Sequence, residues 1–198
     1  MALSRRLAII AGGLGGLGSA TGKILRSQGA WLALLYAPFE ANRTKELLRK
    51  GYGKDFAPEE IRTYECDITS PSSVQSAFAR YPQIWPRGMR PRQRRRSRAF
   101  SRRWKHLNTK LLGPMLCSQA FARLYLAVAK AAAPTAAPPG RIVSVSSQAA
   151  HVALWKHGAY CTSKAGLMGL TRNMASEWGP KGITANTVSP TVAWTELG

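Results

Sequence analysis

The sequence is poor in acidic residues. It contains 9 Asp and Glu against 29 Lys and Arg among 198 residues, which gives a formal charge of +20. No acid occurs between Asp67 and Glu177, and half of the excess charge lies between Arg87 and Lys105. A charge block of this kind is typical of disorder or of an anionic partner. The 45% of apolar residues nevertheless excludes a chain that is solvated throughout and allows one domain with a core.

Cysteines and long apolar runs are also scarce. Cys66, Cys117 and Cys161 are odd in number and far apart, which fits neither a disulfide framework nor a metal-ligand spacing. They favour a reduced, cytoplasmic compartment and no bound metal. No uninterrupted apolar run reaches the roughly eighteen residues that a membrane span requires. We therefore expect no membrane partner.

Strand and helix patterns alternate along most of the chain. Short apolar runs predict strands, and segments with helical spacing predict helices between them. The predicted strands are 7–11, 31–36, 62–66, 141–145 and 183–188, and the predicted helices are 19–29, 40–50, 71–80, 111–133 and 158–178. This alternation predicts βαβ units, and hence an α/β fold with a parallel sheet.

The pattern fails between residues 81 and 109. Pro82, Pro86 and Pro91, together with the arginine cluster, match neither periodicity, and no apolar run there could serve as a buried strand. We expect this segment to be irregular or disordered.

Three glycines, Gly12, Gly16 and Gly18, follow a predicted strand and lead into a predicted helix. Glycine is needed where the backbone turns tightly and where a phosphate must approach closer than a Cβ permits, and a helix N-terminus offers N–H donors to such a group. The cluster therefore indicates a nucleotide site. An ordinary glycine-rich turn explains the same residues, and both interpretations stay open at this point.

Tyr160 and Lys164 stand four residues apart near the start of a predicted helix, so their side chains share one face. An ammonium beside a phenol stabilises the phenolate, which suits the tyrosine to move a proton to or from a substrate oxygen. Ser147, just after a predicted strand, could donate a hydrogen bond to a carbonyl oxygen. Taken alone, the pair specifies little, and a half-buried tyrosine beside a solvated lysine is the simpler explanation.

Several motifs occur in one order and at fixed spacings: the glycine cluster, Asp67, Ser147, the pair Tyr160 and Lys164, and Ser189-Pro190 with Thr195. Together they resemble the short-chain dehydrogenase/reductase family over residues 5–80 and 110–198. The resemblance implies an α/β fold with a doubly wound parallel sheet, the three-layer Rossmann fold, as a single domain over residues 1–198. It also implies hydride transfer between NAD(P)(H) and a small alcohol, polyol or carbonyl.

The resemblance implies a role for each matching residue. At the cofactor it implies Gly12, Gly16, Leu17 and Gly18 for the pyrophosphate, Asp67 and Ile68 for the adenine, and Val192 and Thr195 for the nicotinamide carboxamide. Tyr160 would be the general acid/base, and Lys164 would stabilise its phenolate and hold the nicotinamide ribose. Ser147 would orient the substrate oxygen, because the thirteen-residue spacing to Tyr160 selects it over Ser146. Ser163 is expected to serve packing.

The choice between NAD and NADP depends on the end of the second strand. In dinucleotide-binding folds an acid there binds the ribose diol of NAD, whereas a basic residue accommodates the phosphate of NADP. This chain has Tyr36, Ala37 and Pro38 at that place, with Glu40 and Arg43 further on. The cofactor is therefore NADP or NAD, and the missing acid leans toward NADP.

Three features depart from the family pattern. Residues 92–98 are almost all basic where the family has a central strand that ends in Asn-Asn-Ala-Gly. Lys110 stands where the family has a helical asparagine that supports the proton relay, and Asn108 is two residues out of place. The chain also stops at Gly198, before the helices that cover the substrate and before the last strand, so we expect an incomplete version of the fold.

The basic segment leaves alternatives open. A nucleic-acid-binding insert would use arginine for charge and the aromatic residues Trp85, Phe100 and Trp104 for stacking. A coding error explains the same composition, and we favour it because the segment replaces a required core strand. The leading hypothesis is a short-chain oxidoreductase. The rivals are a catalytically dead nucleotide- or nucleic-acid-binding Rossmann protein and a gene product that does not fold stably. A homo-oligomer is possible, and a nucleic-acid partner is not expected.

Overall fold

The computed structural model describes residues 2–4, 6–53, 60–80, 102–131 and 138–191. These residues form two compact units, which divide between Asp67 and Ile68. The single domain expected over residues 1–198 stays a prediction.

The first unit is a three-stranded parallel sheet with two helices. In chain order it contains β1 (Leu7–Ala11), α1 (Gly16–Ser27), β2 (Trp31–Tyr36), a 3-10 helix (Pro38–Arg43), α2 (Thr44–Tyr52) and β3 (Ile61–Glu65). The strand order is β1-β2-β3, so β2 is central. Leu32, Leu34 and Leu35 in β2 are almost completely buried, as expected where both faces of a parallel strand are covered.

The second unit contains two parallel strands that pair with each other and are connected by a long helix. In chain order it contains α3 (Pro71–Ala79), α4 (Arg102–Leu107), a π-helical turn (Asn108–Leu112), α5 (Gly113–Ala131), β4 (Gly140–Val145), a short 3-10 helix (Gln148–Ala150), α6 (Gly158–Trp178), a second 3-10 helix (Gly179–Lys181) and β5 (Ile183–Val188). The helix α6 connects β4 to β5 and packs against β5. Ile183, the first residue of β5, is fully buried.

Backbone pairing continues past the carboxyl ends of β4 and β5. The Ser146 N–H donates to the Val188 carbonyl oxygen at 2.7 Å, and the Gln148 N–H donates to that of Pro190 at 2.9 Å. Ser147, between these two bonds, is thereby held at the carboxyl edge of the pair. In open α/β sheets this edge is where ligands bind.

Most of the predicted elements are confirmed. Strands 7–11, 31–36 and 183–188 and helix 158–178 agree with the structure to the residue. Helix 71–80 is α3, and the Ser70 hydroxyl caps it by accepting the Ser73 N–H, as Ser70 before Pro71 predicts.

Two helix predictions need correction. The helix predicted from residue 19 begins at Gly16, because the glycine cluster continues into the first turn of α1. The helix predicted over 40–50 is divided into the 3-10 helix that starts at Pro38 and the α-helix that starts at Thr44.

The prediction of irregular structure over 81–109 is wrong for its last part. Residues 102–109 are helical and lead directly into α5, whereas 81–101 lie outside the described residues. Arginine and lysine are good helix formers, so their abundance does not by itself oppose a helix. Leu107 and Leu111, four residues apart, continue the apolar spacing of α5 toward its N-terminus.

One helix among the described residues, Lys105–Ala129, is long and apolar enough to cross a membrane by length and composition. Lys110 and Arg123 interrupt its apolar residues, which is why uninterrupted runs did not reveal it. This is weak evidence for a membrane span, since core helices of soluble proteins pass the same test.

Candidate active site

The glycine loop of the first unit makes a tight turn against the helix that follows it. Gly12 has φ +75°, a conformation that L side chains rarely adopt. A Cβ on Gly18 would overlap the carbonyl oxygen of Gly12 and come within 2.9 Å of the Cα of Gly13. Two of the predicted glycines are therefore required by the backbone, one for its dihedral angle and one for close approach.

The start of α1 is open to an anion. Gly16 is the first helical residue, and the capping residue Gly15 offers no side-chain hydrogen bond to the first turn. That turn contains no acid, and Leu17 is 48% exposed. Free N–H groups at the positive end of a helix favour a phosphate. This arrangement fits the pyrophosphate site that the sequence predicts.

Tyr52 supports the loop from behind, and sequence analysis missed it. Its hydroxyl donates to the Gly13 carbonyl oxygen at 2.8 Å and lies 3.5 Å from that of Gly18. Burial raises the pKa of Tyr52 to about 12. The ring occupies space that a Cβ on Gly22 would fill. The only sequence signal was Gly22, whose missing side chain leaves room on α1 for a large side chain.

The residues predicted for the adenine lie at the ends of the two units. Asp67 is half-buried after β3, whose backbone pairing extends to Cys66 through a 2.8 Å bond to the Tyr36 carbonyl oxygen. The Ile68 side chain packs on the start of α5, where a Cβ on Gly113 would lie 2.8 Å from it. Adenine contact stays a prediction for both residues.

The two serines after β4 have different hydrogen bonds. The Ser146 hydroxyl donates to the Lys164 carbonyl oxygen at 3.0 Å and is thereby committed to α6. The Ser147 hydroxyl accepts only the nearby Ala149 N–H, at 3.2 Å, among the bonds of the described residues. The hydroxyl does not donate its own proton within the described residues. The catalytic role of Ser147 stays a prediction.

Ser163 serves packing, as expected. It is fully buried, and its hydroxyl donates to the Tyr160 carbonyl oxygen at 2.7 Å within α6.

Tyr160 and Lys164 lie together in the first two turns of α6. The Lys164 Nζ donates to the Val145 carbonyl oxygen at 2.7 Å and lies 5.8 Å from the centroid of the Tyr160 ring. Burial lowers the pKa of Lys164, and the positive charge of Lys110 lowers it further. The Lys164 side chain therefore links α6 to the carboxyl end of β4 and places its ammonium group beside the Tyr160 ring.

A second lysine reaches the same ring. The Lys110 Nζ lies 5.5 Å from the Tyr160 ring centroid. Lys110 belongs to the π-helical turn between α4 and α5, and such turns are frequent at functional sites. The ring of His157 lies 6.5 Å from the same centroid, edge on. Sequence analysis treated Lys110 as a lost asparagine and did not place it against the tyrosine.

Two predicted site residues lie outside the part of the chain that the structure describes. Val192 and Thr195 lie outside the described residues. Within the described ranges no group of three His, Cys, Asp or Glu residues could hold a metal ion.

Comparison with known proteins decides the family. Residues 12–198 match a family model described as enoyl-(acyl carrier protein) reductase. D-threitol dehydrogenase of Mycolicibacterium smegmatis is 32% identical, in an alignment that covers 99% of this chain and 73% of that protein. The chain belongs to the short-chain dehydrogenase/reductase family.

Two further relatives match this short-chain dehydrogenase/reductase, one along almost the whole chain and one over a short segment. The NAD-dependent glycerol dehydrogenase of Listeria innocua is 27% identical, with 99% of this chain and 74% of that protein covered. Human L-xylulose reductase is 48% identical over 60 residues, which are 30% of this chain and 25% of that protein.

A solved structure confirms the fold class. The short-chain dehydrogenase/reductase from Serratia marcescens matches with a TM-score of 0.76 and 25% identity, covering 100% of this chain and 78% of that one. The α/β Rossmann class predicted for this dehydrogenase/reductase is therefore correct. The chain spans about three quarters of the length of these relatives.

Proposed function

We propose that this short-chain dehydrogenase/reductase transfers a hydride between NAD(P)(H) and a small alcohol, polyol or carbonyl, with Tyr160 as general acid/base. The observation that carries the proposal is the position of Tyr160. Its ring is flanked by the Lys164 ammonium, which is itself anchored at the carboxyl end of β4 beside Ser147. The relatives are named as dehydrogenases and reductases, and one of them is named as NAD-dependent.

The residues of the glycine loop support the cofactor assignment. The turn at Gly12, the close approach at Gly18 and the uncapped first turn at Gly16 and Leu17 suit a pyrophosphate. When bound, the nicotinamide supplies or accepts the hydride. We assign the adenine to Asp67 and Ile68 and the carboxamide to Val192 and Thr195 by family resemblance.

Each of the three catalytic residues would have a separate role in the reaction. In reduction, the carbonyl carbon of the substrate accepts the hydride and its oxygen accepts the proton that Tyr160 donates. The Lys164 ammonium stabilises the phenolate that remains. The Ser147 hydroxyl, which has its proton available, donates to the same carbonyl oxygen and orients it. Oxidation of an alcohol follows the same steps in reverse.

For the cofactor we propose NADP over NAD. The first acid after the end of β2 along the chain is Glu40, whose carboxylate accepts the Ala37 N–H at 2.9 Å and so caps its own turn. That bond competes with a ribose diol for the carboxylate. The Listeria relative is named as NAD-dependent, so NADH is the cofactor to compare. Tighter binding of NADH than of NADPH to this protein would contradict the proposed preference.

For the substrate we propose a small polyol or the corresponding carbonyl compound. The relatives named above act, by their names, on glycerol, D-threitol and L-xylulose. A homo-oligomer and a cytoplasmic location also stay predictions. None of these relatives has a name that indicates nucleic-acid binding.

The test is cofactor binding and turnover in wild-type protein and in Tyr160→Phe. We expect saturable binding of NADPH and reduction of a small ketose. Tyr160→Phe should lower kcat by at least about a hundredfold, the usual contribution of general acid catalysis, while the Kd for NADPH stays nearly unchanged.

Tyr125→Phe is the matched control for that variant. It removes a hydroxyl that forms no hydrogen bond among the described residues, and the Tyr125 ring stacks on Phe121 in α5. Its kcat should equal that of the wild type. Equal turnover in Tyr160→Phe and wild type would refute the role of Tyr160. Absence of nucleotide binding together with salt-sensitive RNA binding would refute the proposed function.

A further inference from the structure

We propose that Lys110 and Lys164 form an anion site beside Tyr160, and that the substrate is a small carbonyl compound whose carbon chain also carries a carboxylate or a phosphate. The proposal rests on the function proposed above for the position of the reacting carbonyl, and it deepens that function by naming the substrate class. Lys110, the residue on which the proposal depends, departs from the family pattern.

Two ammonium groups lie beside one aromatic ring. The Nζ atoms of Lys110 and Lys164 are 5.5 Å and 5.8 Å from the centroid of the Tyr160 ring. The two lysines come from the π-helical turn and from α6, which pack against each other. The hydroxyl proposed to bind the reacting oxygen belongs to the same ring. Both ammonium groups therefore lie within the length of a small substrate from that oxygen.

The hydrogen-bond donors of these two ammonium groups are mostly unused. The Lys110 side chain is partly buried, and within the described residues its ammonium forms neither a hydrogen bond nor an ion pair. The Lys164 ammonium donates to the Val145 carbonyl oxygen at 2.7 Å, which uses one of its three donors. A charged group that is taken from water without an acceptor is costly. The arrangement therefore favours a ligand that accepts hydrogen bonds from both groups.

No carboxylate of the second unit can neutralise these lysines. The sequence of this unit, Ile68–Val192, contains one acid, Glu177. Glu177 lies near the end of α6, about 25 Å along the helix axis from Tyr160. A charge at that distance is screened at physiological salt. The second unit therefore has no counter-ion of its own for the anion site.

The other charged groups on the elements packed against α6 are basic as well. Helix α6 packs against α4, against the π-helical turn and against the short 3-10 helix that follows β4. The titratable residues of α4 and of the loop before α6 are Arg102, Arg103, Lys105, His106, His151, Lys156 and His157. Charges of one sign around a site raise the local concentration of ligands of the opposite sign. These elements therefore favour an anionic substrate.

An oxyanion fits the anion site better than a neutral hydroxyl group does. Burial lowers the pKa of Lys164, and the charge of Lys110 lowers it further, because like charges repel. A carboxylate or a phosphate has several acceptor oxygens and a charge that offsets this repulsion. A hydroxyl group of a neutral polyol also accepts a hydrogen bond, but that bond is weaker because the acceptor carries no charge.

The first measurement locates the site without turnover. Acetic anhydride acetylates amines, so the acetylation rate of Lys110, followed by peptide mass spectrometry, reports whether a ligand covers it. Hydroxypyruvate or dihydroxyacetone phosphate, with and without NADP⁺, should slow this rate at least about threefold at saturation, whereas dihydroxyacetone should not. Lys105, an exposed lysine in α4, is the control within the same chain, and its acetylation rate should not change.

The second measurement is the substrate preference with NADPH. The three ketones share one carbon chain and differ at one end, which is a hydroxymethyl group in dihydroxyacetone, a carboxylate in hydroxypyruvate and a phosphate ester in dihydroxyacetone phosphate. We expect kcat/KM for the better anionic ketone to exceed that for dihydroxyacetone at least about tenfold, the lower end of what a hydrogen bond to a charged group contributes. The better of the two anionic ketones distinguishes a carboxylate from a phosphate.

Variants of Lys110 test its part in this preference. Lys110→Met should abolish the preference for the anionic ketone, whereas Lys110→Arg should keep it because it keeps the charge. Lys110→Asn is a second neutral variant, with the residue of the family pattern, in case Lys110→Met does not fold as judged by far-UV circular dichroism. Lys105→Met is the matched control and should leave the preference unchanged.

The outcomes separate this proposal from the proposed function. An anionic preference that survives in both neutral variants would overturn the proposal and leave the proposed function intact. Turnover of dihydroxyacetone without any preference for an anionic ketone would do the same. Protection of Lys110 in a protein that reduces none of the three ketones would support the anion site and count against the proposed function alone. Absence of both protection and turnover would refute both.

Discussion

Removal of the Tyr52 hydroxyl is the sharpest test of how the glycine loop is held. The hydroxyl donates to the Gly13 carbonyl oxygen at 2.8 Å, and the side chain is only 6% exposed. Tyr52→Phe keeps the ring against Gly22 and deletes this bond. It therefore separates the hydrogen bond from the packing of the ring.

The expected loss of stability is about 1 to 3 kcal/mol at pH 8. A neutral intramolecular hydrogen bond contributes about 1 kcal/mol net, and a buried carbonyl left without its donor costs about 1 to 3 kcal/mol. The loop that the bond supports also becomes less ordered, so NADPH should bind more weakly. Tyr125→Phe, which deletes a hydroxyl that has no hydrogen bond within the described part of the chain, should change neither quantity.

The pH dependence of this stabilisation has a definite sign. The folded-state pKa of Tyr52 is about 12, against an ordinary value of 10.0, so the folded state retains the proton longer than the unfolded state. The stabilisation is complete below pH 10 and is lost as the pH rises from 10 to about 12. A tenfold change in an equilibrium constant is about 1.4 kcal/mol, so the loss is at most about 3 kcal/mol, and less where solvent reaches the ring.

Urea unfolding of wild type, Tyr52→Phe and Tyr125→Phe between pH 8 and pH 11.5 measures these effects. The difference between wild type and Tyr52→Phe should be largest at pH 8 and shrink above pH 10. A difference that stays constant over this range would refute the assigned burial of the hydroxyl. A difference below about 0.3 kcal/mol at pH 8 would refute the hydrogen bond.

Two further predictions concern the loop and the catalytic lysine. Gly18→Ala should abolish NADPH binding or weaken it at least about tenfold, because its Cβ would overlap the Gly12 carbonyl oxygen. Gly169→Ala in α6, which has open space around it, should instead raise the free energy of unfolding by about 0.5 to 1 kcal/mol. Normal NADPH affinity in Gly18→Ala would disprove the close approach. Burial and the charge of Lys110 lower the pKa of Lys164 in the folded state, so the unfolded state binds its proton more tightly. The unfolding free energy of wild type relative to Lys164→Met should therefore rise as the pH increases toward 10.5. If urea unfolding shows that this difference falls over the same range, the direction of the pKa shift is wrong.

The elements that were predicted well have strong local patterns. The strand at 31–36 is an apolar run, and the helix at 158–178 ends where Gly179 and Pro180 follow it. The helix over 102–109 was missed because composition was given more weight than spacing. Ten basic residues between 87 and 105 indicate disorder when they are counted, yet basic residues also form helices when an apolar face continues beside them.

The candidate site was predictable where one motif carries one function. Tyr160 and Lys164 are four residues apart on a helix, so their proximity follows from helical geometry alone. Tyr52 and Lys110 were not predictable in this way. Tyr52 is 39 residues from the carbonyl group it binds, and Lys110 is 50 residues from the ring it faces. No local period relates such positions.

The sequence by itself determined the alternation of strands and helices, the glycine turn and the pair of Tyr160 and Lys164, because each depends on spacings shorter than two helical turns. It also determined the family, because several such motifs stand in one order. Only the tertiary structure decided which side chains share a space: the Tyr52 hydroxyl behind the glycine loop and the Lys110 ammonium on the Tyr160 ring. Contacts of this kind depend on how separate elements pack, and packing is a property of the folded chain.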